Sequence, residues 1–101
     1  MRKKVDSYLG FAAKSRNLIS GYHTCLHAIK QKKLKLLILT GNLSENTVKK
    51  LSRHAADNGI PVRRYELTEE TSMVTGAFDR GVFGVTDRNL ADAILREIDG
   101  E

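Results

Sequence analysis

A chain of 101 residues can bury one hydrophobic core and is too short for two, so a single domain over 1–101 is expected. Its 41% hydrophobic and 29% charged residues are those of a globular protein, and one proline with eight glycines excludes a low-complexity chain. Seventeen Lys and Arg against twelve Asp and Glu leave a formal net charge of +5, which favours a polyanionic partner.

From Lys3 to Ser15 the apolar residues Val5, Leu9, Ala12 and Ala13 fall on one stripe and predict an amphipathic helix that Asn17 can end. Leu18-Ile19-Ser20 is a short apolar link able to form a brief edge strand. Ser20-Gly21 opens a second helix, with Tyr22, Cys25, Leu26 and Ile29 turned to the core. On a different face of that helix lie His23, His27 and Lys30, flanked by Thr24 and free of acids.

The run Lys35 to Thr40 is continuously apolar after its lysine and ends at Gly41-Asn42, as expected of a central strand covered on both faces. Ser44 is a good N-cap for a third helix whose inner stripe is Val48, Leu51 and Ala55, with Lys49, Lys50 and Arg53 outside and Asn58-Gly59 as its stop. Ile60 to Tyr65 reads as a second strand, and Thr68 caps a short helix ended by Gly76. The segment 77–81 reads as a loop, Val82 to Thr86 as a third strand, and Asp87 as the cap of a last helix with Leu90, Ile94, Leu95 and Ile98 inward. Strands alternating with helices imply parallel pairings through crossover helices. The expected fold is therefore α/β, a three-layer α-β-α sandwich around a small mixed sheet.

The chemistry-bearing residues point away from catalysis. The chain has no Walker loop, dinucleotide glycine fingerprint or Gly-x-Ser-x-Gly elbow. His23 and His27 have the spacing of two metal ligands, but Cys25 between them points roughly the other way on a helix and no acid joins them, whereas zinc needs three or four convergent ligands. No metal, no cofactor and no enzymatic activity are expected. With one cysteine the chain forms no internal disulfide; no run reaches transmembrane length, and Asp6 and Ser7 break the segment that follows the basic N-terminus. A cytoplasmic protein with no membrane partner is expected.

The start of the second helix is more informative. Unpaired backbone N–H groups in its first turn form an anion site, which His23, His27 and Lys30 extend along one face. Such a face suits the phosphates and base edges of a folded RNA.

In order and spacing, Ser20-Gly21, Leu36 to Thr40, Ser44-Glu45-Asn46-Thr47, Gly59-Ile60-Pro61-Val62 and Val85-Thr86-Asp87 resemble the kink-turn-binding ribosomal-protein family of the large-subunit seven-Ae type. The similarity is closest to its bacterial YlxQ-like branch. The resemblance implies that RNA is held between the start of the second helix and the loop before the last strand. The family's helix reads Gly-Ala/Glu-Asn-Glu-x-x-Lys or a variant, which puts RNA-facing roles on Gly21, His23, Thr24 and His27; Gly21 matches and the other three depart. The family's second contact region follows Leu-Gly-Arg-Ala-x-Gly, represented here by Thr71 to Gly76, of which only the glycine is retained. Phe78 and Arg80 in the next loop can pack on an extruded base and pair with a phosphate.

The expected RNA-binding residues are thus Ser20, Gly21, His23, Thr24, His27, Lys30, Phe78 and Arg80. The expected partner is a structured, kink-turn-like RNA in a ribosomal or translation ribonucleoprotein, with ribosomal or translation proteins as further partners. The alternative is a protein-interaction adaptor that keeps the fold without specific RNA recognition.

Overall fold

Each apolar stripe in the sequence lies on the inner side of a helix in the computed structural model, which describes residues 3–41, 43–66 and 81–100. The elements run α1 (Lys3–Lys14), β1 (Leu18–Ser20), α2 (Tyr22–Lys30), β2 (Leu36–Leu39), α3 (Glu45–Asp57), β3 (Val62–Arg64), β4 (Val82–Val85) and α4 (Arg88–Asp99). The helix expected from Thr68 to Gly76, and the loop after it as far as residue 80, lie outside the described residues.

Local chemistry sets the helix ends. The Ser44 hydroxyl accepts the Thr47 N–H at 3.2 Å, and the Asp87 carboxylate accepts that of Leu90 at 2.9 Å, so both expected N-caps form. Three C-termini close in the same way: Asn17, Lys33 and Ile60 donate their N–H groups to the carbonyls of Ala12, Ala28 and Ala55, five residues back. Such closure needs a left-handed residue one position earlier. Gly59 supplies it after α3 with φ 68°, whereas Arg16 (φ 64°) and Lys32 (φ 61°) supply it after α1 and α2. The turn after α1 is therefore made at Arg16, with Asn17 following it.

The four strands form one mixed sheet in the order β1-β4-β2-β3. β2 pairs with β3 in parallel, while β4 is antiparallel to both β1 and β2. The expectation of parallel pairing holds for β2 with β3 and fails at β4, which lies antiparallel between β2 and β1, although β1, β2 and β3 point the same way. The reason is where the chain re-enters the sheet. Leu39, the last residue of β2, is in register with Arg64 at the end of β3 and with Val82 at the start of β4. The chain thus leaves β3 and enters β4 at the same end of the sheet, and a strand that starts at the end where its predecessor finished runs antiparallel to it.

Alternation along β2 and β4 divides the core. Leu36, Ile38, Phe83 and Val85 meet Val5 and Leu9 of α1 and Ala91 and Ile94 of α4. On the other face Leu37, Leu39 and Val82 meet Cys25 and Ile29 of α2 and Leu51 and Ala55 of α3. The architecture is accordingly the three-layer α-β-α sandwich, with α1 and α4 on one side and α2 and α3 on the other. Gly84 leaves room for Leu34 where β4 passes it, because a Cβ there would force the Leu34 side chain to shift.

Candidate functional site

The carboxyl ends of β1, β2 and β3 converge at one edge of the sandwich, and short hydrogen bonds fasten them there. Gly21, just after β1, donates its N–H to the Val82 carbonyl at 2.9 Å. Thr40, just after β2, donates to the Gly81 carbonyl at 2.7 Å, and Tyr65, just after β3, donates to that of Leu39 at 3.1 Å. The Gly41 N–H is held by the Glu66 carboxylate at 3.1 and 3.3 Å. In open α/β sheets ligands gather outside the carboxyl ends of the parallel strands, where loops and helix N-termini meet.

α2 begins at this edge. Gly21 is its N-cap, with φ 102° and ψ 151°, and no side chain caps the helix. That backbone conformation is essentially reserved for glycine. It lets the chain turn from β1 directly into α2, and the first-turn amides of Tyr22, His23 and Thr24 are left without an intrahelical acceptor. The positive end of the helix dipole is thus presented at the edge, where an anion gains about 0.3–1 kcal/mol when exposed.

Down the same helix His23, Thr24, His27 and Lys30 are all exposed, and the helix carries no acid. Cys25 and Ile29 are buried against the sheet, with Tyr22 and Leu26 packed partly over that core. The structure therefore brings Gly21, His23, Thr24, His27 and Lys30 together on one helix and its cap. Ser20 is half-buried at the end of β1, in register with Phe83. Phe78 and Arg80 lie outside the described residues, but Gly81, which follows them, sits beside Thr40 at the same edge.

Cys25, the one cysteine, is sealed in the core. Burial pushes the Cys25 thiol up to about 12, which keeps it protonated and inert. Among the described residues no group of three or more His, Cys, Asp or Glu is placed to hold a metal ion. The exposed face of α2 is polar and carries the fixed positive charge of Lys30.

One feature of this region was not legible in the sequence. Tyr22, expected only as a core residue, also lines a surface groove with Lys49, Lys50, Ser52, Arg53 and His54 of α3. Its ring stands edge-on to that of His23, with centroids 5.1 Å apart and planes at 84°. Periodicity assigns each residue to a face of its own helix and carries no information about which faces of two helices adjoin.

The model of the ribosomal protein L7Ae/L30e/S12e/Gadd45 family matches residues 3–76 of this chain. The chain is 29% identical over 91 residues to the RNA-binding protein YlxQ of Bacillus subtilis (strain 168), covering 90% of this chain and 91% of that protein. It is 27% identical over 99 residues to the RNA-binding protein YlxQ of Enterococcus faecium, covering 98% and 95%. Among solved structures, a Bacillus halodurans C protein of unknown function is similar with a TM-score of 0.87 at 29% identity, over 95% of this chain and 97% of that one. The Giardia lamblia 15.5kD RNA binding protein shares the fold with a TM-score of 0.73 at 15% identity, over 95% and 81%.

Proposed function

The chain belongs to the ribosomal protein L7Ae/L30e/S12e/Gadd45 family, and from that premise we propose that it is a small RNA-binding protein with no catalytic step. The observation that carries this reading is the uncapped start of α2, continued by an acid-free face of His23, Thr24, His27 and Lys30. Free backbone N–H groups and cationic side chains bind phosphate, and exposed imidazoles can stack on unpaired bases or donate to their edges. Two relatives that span nearly the same length are RNA-binding proteins by name.

The RNA in this reading is structured and kink-turn-like, and belongs to a ribosomal or translation assembly in the cytoplasm. A bent RNA offers splayed bases and closely spaced phosphates to one compact edge, which a straight A-form helix does not. The site comprises Ser20, Gly21, His23, Thr24, His27 and Lys30, with Phe78 and Arg80 assigned to it from the sequence. Among the described residues no helix is long and apolar enough to cross a membrane.

The adaptor reading has one observation in its favour, Phe11, which is 60% exposed on the outer side of α1. One ring covers a small part of the roughly 800 Å² that each partner contributes to a stable protein interface. The RNA reading is the better supported.

Binding of the purified protein to a kink-turn RNA and to a fully paired helix of equal length, across a salt series, tests the proposal. Tighter binding to the kink-turn, falling steeply with salt through counterion release, is the expected outcome. No binding to either RNA would refute it, and equal binding to both would refute the kink-turn preference.

A further inference from the structure

The groove between α2 and α3 is lined by exposed cations. α3 packs through Leu51 and Ala55, while Lys49, Lys50 and Arg53 are exposed on its outer side. Lys49 and Arg53 are one turn apart and form a cationic row along the helix, with Lys50 beside it one turn from His54. Glu45 and Asp57 stand one turn before Lys49 and one turn after Arg53, a spacing at which opposite charges support a helix only slightly, so the cations remain available to a ligand. The acids Glu45 and Asp57 stand at the first and last positions of α3 and do not line the groove. Among the described residues none of the three exposed cations is paired with an acid.

The groove is also continuous with the start of α2. Tyr22 follows the N-cap Gly21, forms part of the groove, and meets the His23 ring edge-on at 5.1 Å. The hollow at the opposite end of the sheet differs in character, since Asp57 and Asp92 face Lys32, Lys35 and Arg88 there and the charges offset one another.

We propose that this groove is a second segment of the RNA interface, in which Lys49, Lys50 and Arg53 hold the phosphate backbone of a strand running on from the start of α2 past Tyr22. The inference rests on the RNA reading above and extends it from α2 to α3. The three cations act as sequence-independent phosphate contacts, and Tyr22 gives the groove a flat aromatic wall.

The test compares K49Q/K50Q/R53Q with K4Q/K14Q/R96Q, a control that removes three charges from α1 and α4 on the other side of the sheet. All of these positions are exposed and helical, and glutamine keeps the helices. The probe is a fluorescent kink-turn RNA whose stems and single-stranded tail extend beyond the kink, titrated across a salt series, with circular dichroism to verify folding. Each phosphate contact contributes about 0.7–0.9 to the slope of log affinity against log salt, so the groove variant is expected to lose about 2 to 2.7 of that slope. The control is expected to keep the wild-type slope. A groove variant with the wild-type slope, or a control that loses as much, would overturn the inference while leaving the α2 site standing. Failure of the wild-type protein to bind the RNA would overturn both.

Discussion

Gly21 fixes the geometry at the start of α2. At φ 102° and ψ 151° it occupies a region closed to residues with a Cβ, and its N–H is tied to the Val82 carbonyl at 2.9 Å. Gly21→Ala is expected to lower stability by about 1–3 kcal/mol in urea titration, because the turn must either strain or give up that bond. A variant as stable as the wild type would show that the turn is not constrained. At the buried end of residue chemistry, Cys25 sets a pH dependence. An unfolded thiol loses its proton near 9.0, whereas burial holds the native one neutral up to about 12. Above the first of these values the native state retains a proton that the unfolded chain releases, so stability must fall as pH rises toward the second. The stability advantage of wild type over Cys25→Ala should therefore shrink by about 2 kcal/mol between about pH 8 and about pH 10.5, at 1.36 kcal/mol per unit. Urea titrations at the two pH values check this, and an unchanged difference would contradict the burial account.

At the scale of elements, the edge strand β3 is fastened to the end of α4 by a two-pronged contact. Arg63 donates from Nε to Asp99 Oδ1 at 2.7 Å and from a terminal nitrogen to Oδ2 at 2.9 Å. Hydrogen bonding from Arg63 holds the Asp99 carboxyl below its ordinary 3.8. The contact is exposed to solvent, so its contribution is small. Its sign is definite: the stabilisation is present above the carboxyl's ordinary value and is lost as pH falls through the lowered one. Asp99→Asn should melt slightly below the wild type at neutral pH, and the two should converge in acid; a gap that persists there would assign the effect to packing instead. The helix cores and N-caps at Ser44 and Asp87 were legible because a period of 3.6 and a capping hydroxyl or carboxylate are local signals. The turns at Arg16 and Lys32 were not, since neither residue announces a left-handed conformation as Gly59 does. The direction of β4 was also hidden, because it depends on where residues 65–81 re-enter the sheet.

At the scale of the whole molecule, three parallel strand ends, the start of α2 and Gly81 are drawn to one edge, and the layer of α2 and α3 lies to one side of it. The exposed face of α2 was legible because it repeats within a single helix, and the family resemblance supplied its expected partner. Its union with Lys49, Lys50 and Arg53 depends on the packing of two helices against the sheet. On the proposed reading, binding falls to one edge and one layer, with α1 and α4 as support. The measurement that tests this most directly is amide chemical-shift mapping of the labelled protein on titration with a kink-turn RNA. The largest shifts are expected at Gly21 to Thr24, His27, Thr40 and Gly81, with α1 and α4 nearly unmoved; shifts concentrated on α1 and α4, around Phe11, would refute RNA binding at this edge.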